Sequence, residues 1–143
     1  MNAAISIAPT EQLKIVIVGH VDHGELPKYL HACDMFIRPS RSEGMGNSFI
    51  EAFAAGLPVI ATQEGGIADF LFDETRNPNN ETTGWAVDRN DPKSVAAAVA
   101  NIMVDAAKVR RVTAVARTIA VEKYDWNLIA PAMREQAFAP VHK

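Results

Sequence analysis

The sequence predicts an α/β fold: a mostly parallel, Rossmann-like sheet with flanking helices. Two observations predict it. Short runs rich in β-branched residues alternate with segments of helical periodicity along the chain, the pattern of strand–helix units. The first of those runs, LKIVIVG, is apolar without alternation, as a strand buried on both faces must be. At 143 residues the chain has room for one domain with a single core.

The elements follow in order. Leu13 to Gly19 is the first expected strand, ending at glycine. Glu25 to Ala32 has room for one or two helical turns. Asp34 to Arg38 (DMFIR) is a second strand, stopped by Pro39, which has no amide to donate to a ladder. Phe49, Ile50, Phe53 and Ala54 recur at helical spacing, so Asn47 to Ala55 is a helix that Gly56 ends. Pro58 to Ala61 is a third strand, and Ile67 to Phe72 a short helix. Residues 73 to 83 (DETRNPNNETT) are polar and aperiodic, the loop expected to move most. Gly84 to Val87 is a fourth strand. Asp91 and Pro92 form an N-cap and N1 pair that opens a helix to about Val104. A second helix spans Lys108 to Glu122, and a third, interrupted by Pro131, spans Trp126 to Ala137.

Bulk properties exclude several function classes. Apolar residues make up 48% and charged residues 22%, a folded rather than disordered balance. A formal net charge of -3 leaves no basic footprint, so nucleic acid is not an expected partner. The one cysteine, Cys33, forbids an internal disulfide and suits a reducing compartment. No apolar run nears the ~20 residues of a membrane span, and the first dozen residues do not read as a signal peptide. The expected location is cytoplasmic.

One motif fails on inspection. Gly19 to Gly24 (GHVDHG) follows the first strand in the manner of the phosphate loop of translational GTPases. That loop continues with Lys and Ser or Thr, which supply positive charge and a magnesium ligand. Here Glu25 and Leu26 stand instead, so the GTPase reading is rejected. His20, His23 and His31, with Asp22, match no standard ligand spacing, and no metal site is expected.

The chemistry-bearing segment is residues 39 to 56, PSRSEGMGNSFIEAFAAG. A polar loop with Gly44 and Gly46 leaves a strand end and enters the N-terminus of an amphipathic helix. In a parallel sheet that is where anionic ligands sit. The amides of Met45, Gly46, Asn47 and Ser48 can face such a ligand, and the glycines let its atoms approach the backbone. Glu43 and Glu51 bracket the loop, with seven residues between them. Carboxylates accept charge-assisted bonds from vicinal hydroxyls, as on a ribose or hexose. Taken singly, Glu43 is an exposed loop acid, Glu51 a favourable acid near a helix start, and the glycines turn residues. Their order and setting carry the functional reading.

In that order the sequence resembles the retaining glycosyltransferases of group 1, or family 4, with GT-B architecture. The matching blocks are IVIVGHV; ACDMFIRPS; the pair Glu43 and Glu51; EAFAAGLPVIAT; EGGIADFL with Gly65 and Gly66; GWAV; and a terminal YDW. They cover roughly residues 13 to 130. The resemblance implies that Glu43, the candidate catalytic residue, accepts hydroxyls of a donor sugar near its reacting end. It implies that Gly44 to Asn47 present amides to the sugar and diphosphate, and that Glu51 holds the ribose. Gly19, His20 and Val21 would lie beside the base, and Gly65 and Gly66 would border the sugar. The reaction implied is sugar transfer from a nucleotide diphosphate sugar to an acceptor with retained configuration, with no cofactor and generally no bound metal.

Family members are much longer, and the match begins at what resembles the third strand of the donor domain. The expectation is therefore one partial donor-binding domain over residues 1–143, without the acceptor-binding N-terminal domain or the basic pair that holds the diphosphate. Arg38 and Arg41 are not obvious substitutes for that pair. Such a chain is expected to bind donor weakly and turn it over little. With the first strands missing, self-association or a complementing polypeptide is expected to cover the open sheet. The alternative is a non-catalytic nucleotide-binding or assembly module built on this fold. A dinucleotide-dependent oxidoreductase fits poorly, because no G-x-G-x-x-G follows a strand.

Overall fold

Every side chain of one short strand, Val59–Ala61, is fully buried, and the other elements pack around it. The computed structural model describes residues 14–138. Among these residues three strands form one parallel sheet: β1 (Phe36–Arg38), β2 (Val59–Ala61) and β3 (Trp85–Ala86), in the spatial order β1-β2-β3. Phe36, Ile37 and Arg38 lie opposite Val59, Ile60 and Ala61, while Ile60 and Ala61 lie opposite Trp85 and Ala86. Successive side chains of a strand point to opposite faces. Val59 and Ala61 accordingly join Phe49, Phe53 and Phe70 on one face, and Ile60 joins Trp85, Val87 and Ile102 on the other. Burial on both faces explains why PVIA reads apolar without alternation.

Among the described residues five α-helices accompany the sheet: α1 (Leu26–His31), α2 (Asn47–Ala54), α3 (Pro92–Val104), α4 (Ala106–Tyr124) and α5 (Trp126–Met133). α2 buries Phe49, Ala52 and Phe53, and stops where Gly56 takes φ +78°. Phe49 and Phe53 both meet the Phe70 ring, at 6.4 and 5.8 Å between centroids, and Phe70 also meets Tyr124 at 6.0 Å. α3 opens as the sequence predicts: the Asp91 carboxylate accepts the Lys93 amide at 2.9 Å, with Pro92 next to it. α4 begins two residues earlier than the sequence suggests, because Asp105 caps it through the Lys108 amide at 2.8 Å. Its Ala116 and Ala120 pack into the core that α2 shares. α5 carries Pro131 inside it and buries none of its residues; a π-helical turn, Arg134–Phe138, follows. The expected helix after Ile67 is a shorter 3₁₀ turn, Gly65–Asp69. Among the described residues no helix is long and apolar enough to cross a membrane.

The expected strand Leu13–Gly19 is a correction. Leu13 lies outside the described residues, and Lys14–Gly19 joins no ladder. Ile15, Val16, Ile17 and Val18 are 51, 66, 80 and 50% exposed. A β-branched run becomes a strand only beside a neighbour that supplies ladder partners and apolar cover. β1 supplies neither to it, so among the described residues β1 keeps an open edge, with Ile37 42% exposed.

The polar loop after Phe72 is tied down at several points. The buried Thr83 hydroxyl donates to the Phe70 carbonyl and accepts from the Phe72 amide, both at 2.7 Å. Asn77 Oδ1 accepts from Gln63 Nε2 at 2.6 Å and from the Asp73 amide at 3.0 Å. Asp73 Oδ2 takes the Ala86 amide at 3.0 Å, which satisfies the outer edge of β3. Partial burial raises the Asp73 pKa, but the Thr75 hydroxyl and the amides of Ala86, Thr75 and Arg76 outweigh it, and the net shift is downward.

Two outcomes follow from this packing. Phe53→Ala removes a fully buried ring remote from the site loop and should cost about 3 to 5 kcal/mol in chemical denaturation; a loss below about 1 kcal/mol contradicts this core. The lowered Asp73 pKa stabilises the fold above the ordinary value of 3.8, and that share vanishes as pH falls through the folded value. Asp73→Asn should therefore be less stable than wild type near neutrality, with the gap narrowing in acid. A gap that stays constant from pH 6 to acid denaturation contradicts the assignment.

Candidate functional site at the carboxyl end of the sheet

β1 ends at Arg38, and the chain turns through residues 39–46 into α2. Gly46 forms the helix N-cap with φ +67° and ψ 70°, and no side chain caps the first turn. A Cβ at Gly46 would sit 2.6 and 2.7 Å from Cδ2 and Cε2 of Phe49, so the ring itself demands glycine there. The fully buried Phe49 thus sets the entry angle of a helix whose first amides, those of Asn47 and Ser48, no side chain caps.

Glu43 is held by one oxygen. Arg38 Nη2 lies 2.9 Å from Oε2, and Ser40 Oγ donates to the same Oε2 at 3.2 Å. Arg38 Nη1 donates to Ser48 Oγ at 2.6 Å, and its guanidinium carbon lies 5.4 Å from the Phe49 ring centre. Ser40 is anchored in turn, because the buried Thr62 hydroxyl donates to its carbonyl at 2.6 Å. The Glu43 side chain is only 15% exposed despite lying in a loop.

The second glycine loop is fused to the first. The Gly66 amide donates to the Gly44 carbonyl at 3.0 Å. A Cβ at Gly65, whose φ is +58°, would lie 2.0 Å from the Glu43 carbonyl oxygen. One at Gly66 would lie 2.9 Å from the Gly44 carbonyl oxygen and 3.1 Å from the Met45 Cα. The Gly65–Gly66 turn therefore supports the backbone of Glu43 to Met45 at a distance no other residue allows.

Glu51 sits in the second turn of α2 and is half-buried. It borders a cleft of roughly 270 Å³ between α1 and α2, whose other walls include Leu26, Leu30 and Ala55. His23 Nδ1 lies 3.4 Å from Glu51 Oε1 across its mouth. Gly19 takes φ +77°, His20 is exposed with Nε2 3.7 Å from Asp22, and Val21 is partly buried.

The structure thus gathers Glu43, Gly44, Met45, Gly46, Asn47 and Ser48 on one loop and helix start, with Glu51 one turn further along. Among the described residues Gly19, His20 and Val21 make no hydrogen bond or ion pair with that loop; their segment reaches α2 through His23 and Glu51. Sequence reasoning dismissed Arg38 as a diphosphate-binding cation and His23 as a metal ligand, gave neither another role, and assigned none to Ser40. The available signal was position: Arg38 is the last residue before the strand-ending Pro39, and so stands at the carboxyl edge beside the loop. The resemblance set Gly65 and Gly66 beside the sugar; the structure adds that they pack against the backbone of Glu43 to Met45.

Residues 3–105 match the family model described as Glycosyl transferases group 1. The chain belongs to this family. It is similar to the glycogen synthase of Mycobacterium tuberculosis, 34% identical over 115 residues, which make up 80% of this chain and 26% of that protein. Among solved structures it is similar to the sucrose-phosphate synthase of Thermosynechococcus elongatus, with a TM-score of 0.72 and 33% identity over 82% of this chain and 28% of that one. Anabaena HepE, solved in complex with UDP-glucose, has a TM-score of 0.69 and 22% identity over 78% of this chain and 29% of its own. The last likeness is one of fold. The fold is the Rossmann-like α/β arrangement of GT-B glycosyltransferases, and the chain spans about a quarter of the relatives it matches.

Gly65→Ala tests the backbone support. The added Cβ meets a carbonyl at a positive φ, so the variant should lose more than about 1 kcal/mol of stability, and the Gly66 amide should exchange its hydrogen faster. Unchanged exchange at Gly66 contradicts the clamp.

Proposed function

We propose that these residues form the donor-binding part of a retaining glycosyltransferase, which transfers a sugar from a nucleotide diphosphate sugar to an acceptor. The observation that supports this most is the pairing of a largely buried, single-sided Glu43 with amides at the start of α2 that no side chain caps. Developing negative charge on a departing diphosphate suits those amides and the helix dipole. The free side of Glu43 suits sugar hydroxyls beside the reacting carbon. Glu51, at the apolar cleft beside α1, suits ribose hydroxyls with a base on the Leu26 and Leu30 side. Gly19, His20 and Val21 then approach the base through backbone. Membership of the glycosyl transferases group 1, and the UDP-glucose bound by the fold neighbour HepE, support the same ligand class.

Residues 1–143 act in this reading as one partial donor domain. They bind donor weakly and transfer little by themselves, because the acceptor side and a basic pair for the diphosphate lie elsewhere. The exposed run Ile15–Val18 and the open edge of β1 are completed by a second copy or a complementing polypeptide. With Cys33 as its one cysteine and no basic footprint, the protein works in the cytoplasm, without nucleic acid.

Ligand-observed titration with UDP-, GDP- and ADP-sugars, alongside Glu51→Gln, tests the donor site. One nucleotide class should bind, and the variant should lose about 1 to 3 kcal/mol of affinity. Undiminished binding by Glu51→Gln removes the ribose role. Light scattering tests the completion of the sheet: a dimer or larger assembly is expected, and a monomer at every concentration contradicts self-association.

A further inference from the structure

The two oxygens of Glu43 are not equivalent. Oε2 receives both Arg38 Nη2 at 2.9 Å and Ser40 Oγ at 3.2 Å, while Oε1 has no partner among the described residues. Arg38 is itself fixed at three points. One arm of its fork goes to Glu43, the other to Ser48 Oγ at 2.6 Å, and its guanidinium carbon lies 5.4 Å from the Phe49 ring centre. A guanidinium fits such a set better than an ammonium, which concentrates its charge at one point and lacks the planar fork.

Resting on the donor-site reading, we propose that Arg38 is a positioning residue: it pins Glu43 Oε2 so that Oε1 is the atom left to accept the donor sugar's hydroxyls. Removing Arg38 frees a carboxylate of which Ser40 alone then holds one oxygen, and the side chain regains rotamers. The sugar should feel that loss, and the nucleotide should not, because the Arg38 fork is already spent on Glu43 and Ser48 rather than aimed at the diphosphate. Arg38 is 47% exposed on its side chain, so its truncation leaves the buried core intact.

The readout is the sugar's share of affinity, the Kd for UDP divided by the Kd for UDP-glucose, with the GDP and ADP pairs run in parallel. It is measured in wild type, Arg38→Gln, Arg38→Lys, Glu43→Gln and the double variant Arg38→Gln/Glu43→Gln. The expected result is a ratio well above one in wild type that falls roughly tenfold in Arg38→Gln, the size of a lost bond to a charged group. Arg38→Lys should recover part of it. In the Glu43→Gln background the second substitution should leave the ratio unchanged, since Arg38 acts through Glu43. Nucleotide and nucleotide sugar weakening together in Arg38→Gln would overturn the proposal, because a structural or diphosphate-binding role moves both. A wild-type ratio of one overturns it as well. If the folded wild-type chain binds no nucleotide of any class, the donor-site reading falls and takes this inference with it.

Discussion

Core and site meet at a single ring. Phe49 is fully buried, packs edge-on against Phe36 of β1 at 5.5 Å, and shares the aromatic cluster of Phe53 and Phe70. Its outer side carries the Arg38 guanidinium, and its edge occupies the space a side chain at position 46 would need. The helix start, the glycine at its cap and the cation beside Glu43 are therefore set by one hydrophobic contact. A burial of this kind holds the site rigid at little cost, because the ring would be inside the core in any case.

The second constraint is backbone against backbone. Glu43 carries its carboxylate on a loop, and loops without support move. Here the support comes from the Gly65–Gly66 turn, which bonds Gly44 and abuts Glu43 and Met45, and from Thr62, which bonds the Ser40 carbonyl. Thr62 and Gly65 both follow β2, the most buried strand. Order thus passes from the sheet centre to the loop through two short polar links. The free edge of the sheet has no such support: Ile15–Val18 and the β1 edge stay open among the described residues.

Most of the fold was legible in the sequence. The runs DMFIR, PVIA and GWAV became β1, β2 and β3, and Gly56, Asp91 and Pro92 marked helix ends where the chemistry of caps and breakers requires. LKIVIVG was misread because strand propensity is local while strand existence depends on a neighbour. In the site, the carboxylates and glycines were visible as residue types in order. The Arg38–Glu43 and His23–Glu51 contacts were not, since they join residues whose side-chain directions are set only when β1, α1 and α2 pack. The role of Gly65 was hidden for the same reason: two glycines in a loop do not say whether the close partner is a ligand or another loop.

The central claim is that the loop from Glu43 to Ser48, with Glu51, receives a nucleotide sugar. Its most direct test is a map of backbone amide shifts in the isotope-labelled chain as a nucleotide sugar is added. The account predicts the largest changes at Gly44, Met45, Gly46, Asn47 and Ser48, smaller ones toward Glu51 and His23, and none in the loop of residues 73–83. Changes confined to any other surface, or a folded chain whose 43–51 amides never move, would contradict it.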